Sequence, residues 1–154
     1  MDVSKKIQDV LDEDETVNLW LLLRRASYAS LKARAKELRQ YGITSANGGV
    51  LFVVQKLGQE ATPAEISRQI FREPHSVSGL LKRMDKDGLI RRVKDLSKKN
   101  MIRVELTEKG HEAYRQISKR ETVHRIISAL SEEERQQLKV CLTKIREKAL
   151  EEFE

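Results

Sequence analysis

Pro74 most limits what this chain can fold into, because it stands inside a 46-residue stretch and interrupts the helical step that its apolar residues keep from Ile66 to Met84. The stretch, Ala61 to Leu106, reads ATPAEISRQIFREPHSVSGLLKRMDKDGLIRRVKDLSKKNMIRVEL. Proline has no N–H to donate and disfavours helical geometry in the residue before it. The pattern therefore predicts two short helices with a turn between them. Thr62-Pro63-Ala64-Glu65 opens the first: Thr62 caps, Pro63 suits the first helical position and Glu65 closes a capping box. This helix is expected to run to about Phe71, with Ile66, Ile70 and Phe71 inward. The second spans roughly His75 to Asp87 and buries Val77, Leu80, Leu81 and Met84 as one stripe. Its other face carries His75, Ser76, Gly79, Lys82, Arg83 and Lys86, with Ser78 at the border. Gly88 ends it. Leu89–Val93 and Met101–Leu106 read as strands joined by a polar, basic hairpin over 94–100. The order is helix-turn-helix followed by a wing.

The flanks are helical. Residues 1–15 form a polar arm in which Ile7, Val10 and Leu11 share a face, and the acidic run Asp12-Glu13-Asp14-Glu15 suits a helix start. A long helix is expected from Thr16 to Gln40, stopped by Gly42, and a second from Ser45 to Leu57, capped by Thr44 and ended by Gly58. Gly48-Gly49 inside that second helix costs helix propensity, which implies close approach of another backbone or a ligand niche. Thr107 caps a further helix from Glu108 to about Leu130. Ser131-Glu132-Glu133-Glu134 is a capping box opening the last helix. The first helix and the last two carry more apolar surface than a compact winged lobe can cover, which predicts a two-fold dimer. The chain is thus mainly α with a small β-wing. It is read as one domain, 1–154, with a winged helix-turn-helix lobe over 43–106 and a helical dimerisation region over 1–42 and 107–154.

Charge points to the partner. The net charge is +6, yet residues 68–103 hold eleven basic and four acidic side chains, so the remainder sums to −1. A positive surplus confined to one stretch is the footprint of a polyanion-binding face, although a solvated basic surface would share it. Aromatics make up 5% of the chain, too few for a stacking platform on single strands. The single cysteine, Cys141, allows no internal disulfide. Its place beside Leu138, Leu142 and Ile145 reads as a buried, inert thiol. The three histidines have no ligand spacing, and no nucleophile, carboxylate pair or glycine-rich phosphate loop suggests an enzyme or a cofactor. The longest apolar run, Leu19–Leu23, is far short of the roughly 20 residues a membrane span needs. A cytoplasmic protein is expected.

The helix Ser-Val-Ser-Gly-Leu-Leu-Lys-Arg-Met, its end at Gly88-Leu89-Ile90, and the wing running into Leu106-Thr107-Glu108-Lys109-Gly110 resemble the MarR family of transcriptional regulators over nearly the whole chain, from about Thr16 onward. The resemblance implies a homodimeric winged helix-turn-helix repressor, with the first helix and the last two at the dimer interface. It implies that the fourth helix enters the major groove and the wing reaches the minor groove. It also implies a small phenolic or other apolar effector held between the dimer helices and the DNA-binding lobe. The chain departs from the family at Gly79, where many members carry a basic residue, and at the wing tip. There Lys98-Lys99-Asn100 stands where Asp-x-Arg-Arg is common, with Asp95 retained. Lysine offers a point charge in place of arginine's planar fork.

On these grounds the partner is double-stranded DNA with a palindromic operator, with half-sites spaced near one helical turn. Ser76 and Ser78 are the candidates for base edges, with His75 beside them, unless the serines only cap the helix. Lys82 and Arg83 reach phosphates or a guanine. Lys98 and Lys99 make the wing contact, flanked by Arg91, Arg92 and Arg103. Thr62 offers its hydroxyl and backbone N–H groups to a phosphate. The alternative is a winged-helix module that binds protein without touching DNA, which would need apolar residues exposed on the fourth helix. Trp20, Tyr28, Phe52, His111 and Tyr114 are candidates to line an effector cavity, against the plainer reading that they are core.

Overall fold

The computed structural model describes residues 10–95, 97–99 and 101–153. Ile7 of the expected N-terminal arm and Asn100 of the wing lie outside them, and Val10 and Leu11 are exposed and non-helical. Seven α-helices and one two-stranded antiparallel hairpin follow in order: α1 Glu15–Arg39, α2 Ser45–Leu57, α3 Pro63–Gln69, α4 Pro74–Lys86, β1 Ile90–Asp95, β2 Met101–Leu106, α5 Glu108–Ile117, α6 Glu121–Ile127 and α7 Glu132–Glu151. The hairpin register pairs Ile90 with Leu106 and Asp95 with Met101. The acidic run does what its position suggests: the Asp14 carboxylate accepts the Thr16 N–H at 2.7 Å and caps α1. Thr44 caps α2 by accepting the Asn47 N–H at 3.1 Å.

The core belongs to the winged lobe. Leu51, Ile66, Leu81, Met84, Ile90, Val50, Val77 and Val104 are its largest fully buried side chains. The apolar stripe of α4 faces inward as the spacing predicts, with Val77, Leu80, Leu81 and Met84 all buried. The Val104 N–H donates to the Ala61 carbonyl at 2.8 Å, which ties β2 to the entrance of α3. By contrast, no residue of α7 is buried, and Leu138, Val140, Leu142 and Ile145 stand exposed along it.

The end of α4 is fastened to the start of α5. Three consecutive carbonyls leave α4, and each has a partner. Asp87 O accepts from Lys109 Nζ at 2.8 Å, Gly88 O from the Thr107 hydroxyl at 2.5 Å, and Leu89 O from the Thr107 N–H at 3.2 Å. Gly110 completes the contact by having no side chain: a Cβ there would sit 2.0 Å from the Leu89 oxygen.

Several expectations change. The helix expected from Glu108 to Leu130 is two helices, because Arg120 takes a left-handed backbone (φ +51) and breaks it. Side chains brace the break: the Ser118 hydroxyl joins its own N–H in donating to Tyr114 O, at 2.7 Å, and Arg34 Nη2 donates to Ile117 O at 2.6 Å. Phe71 is not inward. It follows α3 at φ +52 and is 72% exposed. The capping box at α3 is half made: Thr62 Oγ1 accepts the Glu65 N–H, but the Thr62 N–H goes to Glu60 O and the Glu65 carboxylate to Gln69 and Arg68. Gly48 and Gly49 face side chains, Leu38 at 3.3 Å and Ile70 at 3.5 Å from where a Cβ would lie, and no other backbone. Cys141 is exposed in the single chain, since the stripe it belongs to has no covering element in the same chain.

A buried ion pair joins α1 to the α5–α6 break. Arg34 Nη1 lies 2.5 Å from Glu37 Oε2, and Glu37 is 7% exposed. Burial pushes the Glu37 carboxyl up, but the Arg34 guanidinium and hydrogen bonds from Thr122 outweigh it and hold the group below the usual carboxylate value.

Two outcomes follow from this packing. Gly110→Ala should destabilise the protein by about 3 kcal/mol in urea unfolding, because backbone must move, whereas Gly49→Ala, with ordinary contacts, should gain up to about 1 kcal/mol of helix propensity. Because the Glu37 pKa is depressed on folding, its stabilisation is complete above the unfolded value of 4.5 and is lost as pH falls through the folded one. Glu37→Gln should therefore cost about 2 kcal/mol at pH 7, with the gap to wild type closing in melts recorded progressively below pH 4.5.

Candidate nucleic-acid interface

The first half of the interface is the outer face of α4. Its inward stripe fixes the helix, so His75, Ser76, Ser78, Lys82, Arg83 and Lys86 are presented together and exposed. The serines are not caps. The N-cap is Glu73, no side chain caps this helix, and the Ser76 hydroxyl lies 3.5 Å from His75 Nε2. Gly79 leaves a flat spot between them. A Cβ there would meet only Arg83 Nη1 at 3.8 Å, so the guanidinium reaches back along the helix beside it.

The second half is the hairpin. Its tip is shaped by Asp95, whose carboxylate accepts the Ser97 hydroxyl at 2.6 Å and the Ser97 N–H at 3.0 Å. These bonds hold the Asp95 carboxyl below its ordinary value, helped by the Arg103 and Lys98 charges. Lys98 and Lys99 follow on the exposed turn, with Lys99 at φ +49 and the Lys98 ammonium 3.8 Å from Glu60. A carboxylate thus orders the turn while two ammonium groups project from it.

The three strand arginines are placed differently from one another. Arg92 Nε donates to Asp85 Oδ2 at 2.9 Å, which ties β1 to α4. Arg91 Nε donates to Glu105 Oε2 at 3.1 Å and stays largely exposed. Arg103 is mostly covered: it donates to Glu105 Oε1 at 2.6 Å and to Gln59 Oε1. The two guanidinium groups hold the Glu105 carboxyl below its usual value. Arg103 therefore braces the hairpin against the turn after α2. Thr62 is half-buried and its hydroxyl is already engaged as the α3 cap.

A cavity of about 420 Å³ lies between the winged lobe and the helices outside it. Leu31, Phe52, Tyr114 and Val123 give it apolar walls, Gly48 and Gly49 line it, and Arg34 and Arg120 supply its charges. The Arg120 guanidinium stands 5.3 Å from the Phe52 ring centre. Of the five aromatic candidates from the sequence, only Phe52 and Tyr114 meet here. Trp20 faces a separate groove of about 540 Å³ with Leu19, Leu22, Leu138, Cys141, Leu142 and Ile145. Tyr28 and His111 line two others. Neither Arg34 nor Arg120 was marked by any motif. Among the described residues no group of three His, Cys, Asp or Glu side chains is arranged to hold a metal ion. No helix among them is long and apolar enough to cross a membrane.

A sequence model of the MarR family matches residues 41–99, which run from the end of α1 to the wing tip. Among solved structures, the organohalide-sensing RdhR-CbdbA1625 transcriptional regulator, bound to 2,4-dichlorophenol, is 32% identical, with a TM-score of 0.77 over 94% of this chain and 89% of that one. S. aureus MepR in complex with DNA is 27% identical, with a TM-score of 0.75 over 83% and 94%. A mutant of E. coli MarR complexed with operator DNA shares the fold at 20% identity and a TM-score of 0.78, over 88% and 99%. No curated protein matches the chain by sequence.

The arginine and lysine placements predict different phenotypes. Lys98→Ala combined with Lys99→Ala should weaken binding to any duplex and lower the slope of log affinity against log salt by about 2. Arg103→Ala should instead show first in thermal unfolding, at about 1–2 kcal/mol, because Glu105 and Gln59 lose their donor.

Proposed function

This chain belongs to the MarR family, and from that premise we propose that it is a homodimeric repressor that binds a palindromic operator and releases it when a small phenolic or other apolar effector binds. Its function as a DNA-binding transcriptional regulator, in a family of regulators, needs no catalytic group. The observation that carries the reading is the pairing of an uncapped, polar and basic α4 face with a lysine-tipped hairpin on one rigid lobe. In this reading α4 enters the major groove. Ser76 and Ser78 meet base edges with His75, and Lys82 and Arg83 meet phosphates or a guanine. Lys98 and Lys99 follow the adjacent minor groove, Arg91 and Arg92 flank them, and the α3 N-terminus at Thr62 faces a phosphate. The protein-interaction alternative needs apolar residues exposed on α4, and that face has none.

The lobe over 43–106 acts as the reading unit, and 1–42 with 107–154 as the dimerisation region. Leu19, Trp20 and Leu22 of α1, Ile126 and Ile127 of α6 and the apolar side of α7 support that division, since all are exposed in the single chain. Two lobes set about 10 bp apart then read one palindrome. The effector fits the cavity lined by Phe52 and Tyr114. A ligand there would lie against Arg34, which also holds the Ile117 carbonyl at the α5–α6 break. Ligand binding would thus move the joint between dimer helices and lobe, changing the distance between the two recognition helices. The site of action is the cytoplasm, where the operator is.

Gel-shift against genomic upstream fragments tests the reading. A competitor-resistant complex that weakens steeply with salt is expected, and chlorophenols that raise the melting temperature should dissociate it. No complex with any fragment would overturn it.

A further inference from the structure

Phe71 is the residue whose placement the packing does not explain. It sits in the left-handed region at φ +52, a genuine outlier for a bulky side chain. It is also 72% exposed, so no apolar burial compensates that backbone in the free protein. The turn is built without its ring. The Arg72 N–H donates to Ser67 O at 3.1 Å, the buried Ser67 hydroxyl donates to Arg72 O at 2.5 Å, and the Phe71 N–H lies 3.4 Å from Arg68 O. The brace holds the strained conformation, and the ring is displayed three residues before Pro74 opens α4.

The chemistry around it selects the occupant. Arg68, Gln69, Arg72, Glu73 and His75 are its exposed chain neighbours, two arginines against one carboxylate, so Phe71 stands among charged and polar residues and not in an exposed apolar run. A duplex edge matches that mixture, with phosphates for the cations and apolar atoms for the ring. Resting on the DNA-binding reading above, we propose that Phe71 is a specificity contact. Its ring packs on apolar DNA surface at the edge of the major groove entered by α4, against a thymine C5-methyl or the adjoining deoxyribose. Apolar side chains read thymine methyls in this way. Strain held rigid at a recognition site is a form of preorganisation, since the ring is already aimed when DNA arrives.

The test uses the full dimeric chain and an operator selected from genomic fragments. Phe71→Gly and Phe71→Asn both remove the ring while suiting a positive φ. Both should fold, with melting temperatures within about 3 °C of wild type, yet bind operator about tenfold more weakly. The salt slope should not change, and binding to random duplex should stay at the wild-type level if the ring meets a methyl but fall with operator binding if it meets the deoxyribose. Replacing thymidine by deoxyuridine position by position separates the two surfaces. A loss for wild type at one position per half-site, absent in both variants, identifies the methyl. No such position, with the variants still weaker, identifies the deoxyribose. Wild-type operator affinity in both variants overturns the proposal, as does a sharp fall in melting temperature with the affinity of the folded protein unchanged. Wild-type protein that binds no operator is a different result, for it removes the regulator reading itself.

Discussion

Three backbone carbonyls at the end of α4 have to be satisfied, and much of the molecule follows from how that is done. A helix C-terminus carries unpaired acceptors and partial negative charge. Here the N–H groups of Asp87, Gly88 and Leu89 meet those acceptors at Arg83, Asp85 and Met84, and the carbonyls of the same three residues turn toward the start of α5. One hydroxyl, one N–H and one ammonium meet them, all from Thr107 and Lys109. Gly110 permits the approach, because any side chain would strike the Leu89 oxygen. Helix α4, the proposed recognition helix, is thereby oriented by α5, which leads to the proposed dimerisation region. The Leu-Thr-Glu-Lys-Gly run, which looks like a label in the sequence, is a mechanical joint.

Arginine behaves less uniformly than a count of positive charge suggests. The basic surplus over 68–103 is real, yet Arg92 is tied to Asp85 and Arg103 to Glu105 and Gln59. The partly exposed Arg92–Asp85 pair contributes little to stability on its own, whereas the mostly covered Arg103 stabilises through Glu105 and Gln59. Their shared effect is geometric: they set the wing against α4 on one side and against the turn after α2 on the other. Arg68, Arg72 and Arg91 stay exposed at the outer surface, and beside them α4 and the wing tip present long side chains that are ammonium-headed apart from Arg83. In the proposed complex, a wing held by arginines and tipped with lysines positions with one residue type and touches with the other.

The fold was legible wherever a local rule acted alone. Pro74 separated two helices, Thr44 and Thr107 capped where their spacing placed them, and the α4 stripe buried the four residues its period named. The break after α5 was not legible: Thr107 to Leu130 offers no proline to mark it, and the left-handed turn falls on Arg120, a residue type that signals none. Phe71 was misplaced for a different reason. Its type says core, and the cap that Ser67 and Arg72 close at the end of α3, in which Phe71 takes a left-handed backbone usually given to glycine, turns it outward. Arg34 and Arg120 could not be found from the sequence, because they lie 86 positions apart and meet only through packing at one cavity. Cys141 was read as covered, which requires a surface this single chain does not contain.

That missing surface has a consequence for regulation. Among the described residues, helix α7 buries none of its twenty side chains, and in the proposed dimer its apolar side is covered by another copy. Assembly then precedes reading. The concentration of operator-competent protein rises with the square of the protomer concentration while dimers are scarce. A cell making a few extra copies changes occupancy more than in proportion, and one that dilutes them by growth loses control of the operator abruptly. The threshold of the switch is set on the side of the molecule farthest in function from the DNA.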